Sequence, residues 1–265
     1  MLPNVIRKLS CNPSVRSVAR QFHLTALARR VYCGLISSGG VLKVSYFGAT
    51  VSFRSANSKQ MALLDYILVT ERDFIELALN GLRAGDTFLD VGCNYGIFSI
   101  IASKLVGEAG RVIAVDPHPG TLEVLHQNIV LNRCQNIQVR NVAFSDRSGV
   151  LALAFGDNGA GPQTGSDEAS AVHEVAAMAG DEALREAPIP AVVKIDVEGH
   201  ELAVLNGLKR TLSSDSCRRL CLEIHPTLLP RGIEKKRVLA FVESCGFRVV
   251  SEMVRGQALH VVATK

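Results

Sequence analysis

Residues 87–103, reading TFLDVGCNYGIFSIIAS, limit what this chain can fold into more than any other stretch. The run from Thr87 to Val91 is short, apolar and β-compatible. It carries Asp90 near its end and passes at once into Gly92, Asn94 and Gly96, after which an amphipathic helix pattern begins. A buried strand, a glycine-bearing turn and a helix in that order let the backbone turn tightly, approach a ligand closely and present N–H groups to it. Neither nucleotide fingerprint is present, GxGxxG or a GxxxxGK followed by Ser or Thr. A carboxylate at Asp90, where those motifs would hold phosphate, suits a ligand with a positive centre, such as an amino-acid moiety beside a sulfonium.

Downstream, strand and helix patterns alternate, which argues for a parallel sheet covered on both faces. The strands are expected at 87–91, 111–116, 137–144, 191–196, 219–224, 247–253 and 258–264. Only residues 254–257 separate the last two, too few for a crossover helix, so the final strand is expected to run reversed. Helical periodicity marks 61–82, 200–213 with Leu202, Leu205, Leu208 and Leu212 on one stripe, and 233–244. Residues 41–55 alternate apolar and polar around Gly48 and predict a hairpin flanking the sheet. Residues 14–37 read as one or two helices stopped by Gly39 and Gly40. The Gly-, Asp- and Ser-rich stretch 155–170 reads as a loop bordering a substrate site.

Charge divides the chain. Residues 1–64 hold nine Lys and Arg and no Asp or Glu; the other 201 carry the remaining 20 basic residues against all 25 acidic ones. The expected organisation is a basic helical and β-hairpin extension over 1–64 and a catalytic domain over 65–265. Such a head reads as a solvated helix, as a peripheral contact with an anionic membrane face or glycolipid, or as a transit peptide. Basic residues continue past an ordinary cleavage point. No uninterrupted apolar run reaches the length of a membrane span. The seven cysteines form no CxxC pair and no zinc spacing, so they read as reduced thiols in a cytoplasmic protein.

Asp90-Val91-Gly92-Cys93-Asn94-Tyr95-Gly96, Ala114-Val115-Asp116-Pro117, the run Val193-Lys194-Ile195-Asp196-Val197-Glu198-Gly199-His200-Glu201, and Leu222-Glu223-Ile224-His225-Pro226 occur in that order. Together they resemble the FkbM family of S-adenosylmethionine-dependent methyltransferases, from about Glu71 to the C-terminus. Cys93 departs from the family's usual small residue, and a buried neutral cysteine substitutes readily there. The resemblance implies an α/β fold of the class I, Rossmann-like type with seven strands and the last antiparallel. It also implies S-adenosylmethionine as cofactor, and an acid near that cofactor at Glu71.

Gly92, Asn94 and Gly96 form the cofactor turn, and Asp116, 26 residues after Asp90, is expected on the ribose hydroxyls. Val142 would edge the adenine. Asp196, Glu198, His200 and Glu201 crowd the end of the fourth strand, while Glu223 and His225 end the next one. Three carboxylates so close would repel unless neutralised or solvated. Asp196 and Glu198 are expected to position the reactants, and His225, with an unperturbed pKa near 6.5, to accept the proton, helped by Glu223 and rivalled by His200. No metal is assigned. The motif of amino-group methyltransferases acting on nucleic-acid bases (DPPY, NPPY or their Phe forms) is missing, which argues for oxygen as acceptor, on a sugar in a glycan, glycolipid or secondary metabolite. The alternatives are an RNA methyltransferase clamping nucleic acid with the basic head, and a non-catalytic S-adenosylmethionine-binding protein.

Overall fold

The computed structural model describes residues 40–55, 58–154 and 172–265. The expected helices at 14–37 and loop at 155–170 lie outside the described residues. In chain order, a hairpin β1 (Val41–Tyr46) and β2 (Ala49–Arg54) precedes helices α1 (Ser58–Thr70) and α2 (Arg72–Leu79). Then come β3 (Thr87–Val91), α3 (Ile97–Val106), β4 (Arg111–Val115), α4 (Pro119–Leu131) and β5 (Ile137–Arg140). Three further strands, β6 (Ala143–Ser145), β7 (Gly149–Ala154) and β8 (Val172–Ala179), lead to the short α5 (Gly180–Ala183). The second half holds β9 (Val192–Asp196), α6 (Glu201–Gly207), α7 (Lys209–Ser213), β10 (Arg219–Ile224), α8 (Lys235–Ser244), β11 (Arg248–Arg255) and β12 (Ala258–Thr264).

Seven strands form one sheet in the order β11-β12-β10-β9-β3-β4-β5. β12 is antiparallel to both its neighbours, and the other pairings are parallel. The sheet therefore has the expected class, with the last strand reversed. Strand residues alternate between two apolar layers, as a pleat requires. Phe88, Val112, Val192, Cys221 and Val262 join the layer under α1, α2 and α3; Leu89, Ile113, Val193, Leu222 and Val261 join the layer under α6, α7 and α8.

The hairpin turns at Phe47 and Gly48, with φ of 49° and 79°, the left-handed pair whose twist matches the flanking strands. Leu42, Tyr46, Val51 and Phe53 bury its inner face in the first layer. The outer edge of β2 is closed by α4: Ser52 N and Arg54 N donate to Asn132 Oδ1 and Asn128 Oδ1 at 2.8 and 2.7 Å, and Asn132 Nδ2 returns a bond to Ser52 O at 2.7 Å. This satisfies backbone groups that an edge strand would otherwise expose.

Three expectations need correction. The strand expected at 137–144 divides: Asn141 Nδ2 donates to the carbonyls of Asp116 and Pro117 at 3.2 and 3.0 Å, and the chain leaves the main sheet there. β6 instead pairs with β8, which pairs with β7, in a separate three-stranded sheet that the sequence reading did not contain. The helix expected at 61–82 breaks at Glu71, whose backbone leaves helical geometry, and the one expected at 200–213 breaks at Leu208. No described helix is long and apolar enough to cross a membrane.

Candidate active site

The turn between β3 and α3 is built for close packing. Gly92 has φ +77°, and a β-carbon there would stand 1.8 Å from Asp196 O, so the turn rests directly on the end of β9. Gly96, at φ +85°, caps α3, and a β-carbon there would meet Leu125 Cδ1 at 2.2 Å. Contrary to expectation, this turn is no nest of open amides. Gly92 N and Cys93 N donate to Val115 O, Asn94 N to Asp116 Oδ2, Tyr95 N to Asn94 Oδ1 and Gly96 N to Cys93 O. Cys93 is buried, and burial holds its thiol well above its ordinary range, in the neutral form.

Asp90 differs from expectation as well. It is 0% exposed and does not line the cavity beside the turn. Its Oδ2 accepts from Ser99 Oγ at 2.6 Å and its Oδ1 lies 3.4 Å from Lys194 Nζ. Lys194, also buried, donates to Gly92 O at 2.8 Å and lies 3.4 Å from Asp196 Oδ2. Burial works against this ammonium, but Asp196, Asp90 and Glu223 outweigh it and hold its pKa above the usual lysine range. Asp90 is thus the buried counter-charge of a strut that ties the glycine turn to β9.

A cavity of about 350 Å³ opens at the carboxyl ends of β3, β4 and β9, where an open α/β sheet binds its ligands. Gly92, Asn94, Asp116, Val142, Asp196 and Glu198 line it; Glu71, Asp90, Gly96 and His225 do not. The Asp116 carboxylate accepts from Asn94 N, His118 N and Thr121 Oγ1 at 2.9, 2.9 and 3.0 Å. Burial raises its pKa against the pull of those bonds. Sequence reasoning missed Leu151 and Leu153 on β7, Leu228, and His118, which also border the cavity. No local pattern marked β7, which reaches the cavity through the second sheet.

Asp196 and Glu198 leave β9 toward this cavity. Glu198 holds a left-handed φ of 51° and is followed by Gly199 at 98°, a backbone cost of about 1 kcal/mol or more of the kind found at functional turns. Burial, reinforced by Glu223, pushes the Asp196 carboxyl up to about 7 against Lys194 and His225. Glu198 is raised chiefly by burial. His200 also lines the cavity, with Nε2 2.9 Å from Ser145 Oγ, and burial lowers its pKa.

His225 sits behind Asp196. Its Nδ1 is 2.9 Å from Glu201 Oε1, and its Nε2 lies 3.4 Å from Glu223, 3.6 Å from Glu198 and 3.9 Å from Asp196. Burial opposes its charge, but Glu201 and Glu223, with Asp196 and Glu198 beyond them, push the ring up to about 11. The expectation of a ring near 6.5 that accepts a proton is corrected accordingly, because an imidazolium has no free lone pair at neutral pH. Burial would raise Glu223, yet its bonds with His225 and His260 hold it well below the carboxylate range. Glu71 joins Glu223 and His260 rather than the cavity, their nearest polar atoms lying within 4.8 Å of one another. The ligand atoms of Asp196, Glu198 and His225 also lie within 4.8 Å of one another.

The set fits S-adenosylmethionine. Asp116, Asp196 and Glu198 line the cavity with carboxylates that fit the hydroxyl and ammonium donors and the positive sulfonium of that cofactor, and the amides of Gly92 to Gly96 are already bonded within the protein. This sheet and this donor set define a class I S-adenosylmethionine-dependent methyltransferase.

The methyltransferase FkbM domain family matches residues 90–249, more than half the chain, and the chain belongs to that family. It is an S-adenosylmethionine-dependent methyltransferase. The hexuronic acid methyltransferase AglP of Haloferax volcanii is 32% identical over 224 residues, covering 83% of this chain and 87% of that protein. The 31-O-demethyl-FK506 methyltransferase FkbM of Streptomyces tacrolimicus is 27% identical over 259 residues, covering 82% and 94%. Among solved structures, a precorrin-6y C5,15-methyltransferase from Geobacter metallireducens is similar at 17% identity and a TM-score of 0.49, covering 75% of this chain and 90% of the other.

Proposed function

We propose that this chain methylates a hydroxyl oxygen of a sugar, in a glycan, glycolipid or secondary metabolite, and that Asp196 takes the hydroxyl proton. The observation that carries this reading is Asp196: it lines the same cavity as Gly92 and Asn94, between Lys194 and His225, and its carboxyl is pushed up to about 7. A base contributes most when its pKa is near the working pH. The relatives acting on a hexuronic acid and on 31-O-demethyl-FK506 support an oxygen acceptor. The cavity lining holds three carboxylates and, among the described residues, no Lys or Arg, which suits an uncharged hydroxyl better than an anionic acceptor.

S-adenosylmethionine, when bound, supplies a methyl group already activated by its sulfonium. Gly92 and Asn94 hold the turn against it, Asp116 accepts from the ribose and Val142 borders the adenine. Asp196 receives the acceptor's proton, while Glu198, 3.6 Å from His225, orients the hydroxyl. Leu151, Leu153 and Leu228 exclude water from the opposite wall.

The expected boundary at 64/65 falls inside α1, and the hairpin with Met61 and Leu64 shares the apolar layer of Phe88 and Val112, while the nine cations without an acid over residues 1–64 support docking on an anionic membrane or glycolipid surface. The free, buried cysteines among the described residues support a reduced, cytoplasmic setting.

The test is transfer of labelled methyl from S-adenosylmethionine into an extract of the source cells. Label in an alkali-stable methyl ether on a glycan or glycolipid is the expected result. Label in an alkali-labile ester, in nuclease-sensitive material, or nowhere despite tight S-adenosylhomocysteine binding would overturn the reading in favour of a carboxylate, an RNA or a non-catalytic role.

A further inference from the structure

Both ring nitrogens of His225 face carboxylates that lie outside the cavity. On one side Glu201, 0% exposed, gathers three donors on Oε1: Gly199 N at 2.9 Å, His225 Nδ1 at 2.9 Å and His225 N at 3.3 Å. On the other, Glu223 Oε1 lies 3.4 Å from His225 Nε2 and 3.2 Å from Nε2 of His260. His260 is 1% exposed, sits directly across from Glu223 in the β10–β12 register, and is braced by the Phe74 ring at a centroid distance of 4.4 Å. A neutral imidazole carries one N–H and one lone pair, so it would turn its lone pair on one of the two carboxylates. Only the doubly protonated ring donates to both.

That ring is one of two cations bracketing Asp196. His225 Nε2 stands 3.9 Å from Oδ1, and Lys194 Nζ stands 3.4 Å from Oδ2. The groups facing His225 come from every element around it: Asp196 and Lys194 from β9, Glu198 from the turn after it, Glu201 from α6, Glu223 from β10. His260 on β12 and Glu71 at the α1–α2 break reach it through Glu223.

We propose that Glu201 and the Glu223–His260 pair are positioning residues for methyl transfer: they fix His225 as a permanent imidazolium, which favours the ionised form of Asp196 and readies it to take the acceptor's proton. The methyl donor would be the one co-reactant: the acceptor oxygen would bond to the methyl carbon as the methyl–sulfur bond breaks, S-adenosylhomocysteine would leave as a neutral thioether, and the hydroxyl proton would pass to a carboxylate oxygen of Asp196, which becomes neutral between Lys194 and His225, whose own protonation does not change. His225 therefore acts through Asp196, and its two carboxylate partners act through His225. The role given to Asp196 rests on the O-methylation reading above, whereas the charge state of the ring does not.

The test needs no acceptor. The full chain is labelled with ¹⁵N-histidine and its ring nitrogens are followed by long-range ¹H–¹⁵N correlation from about pH 6 to 10, with His225→Gln identifying the signal. Both nitrogens are expected protonated at about pH 8 in the wild type, and Glu201→Gln should lower the ring's proton affinity about tenfold or more, a shift of one pH unit. A wild-type ring with a bare nitrogen at about pH 7.5, or a midpoint unmoved in Glu201→Gln, overturns the proposal. Should Glu201→Gln fail to fold, Glu223→Gln provides the second arm by removing the carboxylate 3.4 Å from Nε2, with a lowered midpoint expected and an unchanged one fatal. A ring that titrates as expected while Asp196→Asn retains full turnover would instead sink the assignment of Asp196, leaving the imidazolium intact.

Discussion

Gly92 and Asp196 meet so closely that a β-carbon on the glycine would stand 1.8 Å from the aspartate's carbonyl oxygen. The cofactor turn and the strand carrying the acceptor-facing carboxylate are therefore one rigid piece. Gly92→Ala must both strain a φ of +77° and push β9 aside, at a combined cost of about 2–4 kcal/mol. Denaturant unfolding checks the stability and calorimetric titration the affinity for S-adenosylhomocysteine. Wild-type values for both would show that the two segments move independently.

Cofactor choice is checked by melting. S-adenosylmethionine and S-adenosylhomocysteine should raise the Tm by mass action, and NAD should not. Asp116→Ala should weaken S-adenosylhomocysteine by about 1–3 kcal/mol. It should also lower the Tm of the free protein, because Asn94 N, His118 N and Thr121 Oγ1 lose their acceptor. A variant with full stability and full affinity would remove Asp116 from the site.

Asp196 carries a pH signature of definite sign. Its carboxyl is raised from 3.8 to about 7 in the fold, so the stability gained from its protonation is complete below 3.8 and is lost as pH climbs through about 7. Asp196→Asn abolishes that loss. The Tm of the variant relative to wild type should therefore grow from about pH 4 to 7 and then level off. A difference that stays flat over that window would mean that the carboxyl titrates normally, and one that shrinks would mean that its pKa is lowered.

Turnover on the identified acceptor separates the candidate bases. Asp196→Asn should fall by about 10²- to 10⁴-fold at saturating S-adenosylmethionine. His225→Gln should lose turnover as well, but with the acidic limb of its pH profile moved upward, since Asp196 loses one of its two cations. If His200→Ala alone is crippled, the proton belongs to His200, whose ring also lines the cavity.

Much of this was legible because it is local. The run Thr87–Val91, the glycine turn and the short 254–257 link each encode their structure within a few residues, so the parallel sheet and its reversed last strand could be read from the chain. What escaped is what distant residues do to one another. Asp90 reads as a ligand-facing anion until Lys194 and Ser99 arrive from β9 and α3 to bury it. His225 reads as an ordinary imidazole until carboxylates from β9, the turn after it, α6 and β10 surround it. The single side chain of Asn141 diverts the chain into a second sheet, and no periodicity announces that.

The strand β12 follows every other strand in the chain, yet it lies between β10 and β11 and brings His260 against Glu223. Order of synthesis thus becomes order of competence. The turn at Gly92 and the acid at Asp116 leave the ribosome well before the partner of Glu223 exists. A nascent chain can assemble its cofactor half first, whereas the charge balance behind Asp196 waits for the final strand to pair with β10, bringing β11 with it. Truncation ahead of His260 would strip Val261, Val262 and Ala263 from both apolar layers and leave β11 with no strand to pair with, so the loss would fall on the fold as well as on the chemistry.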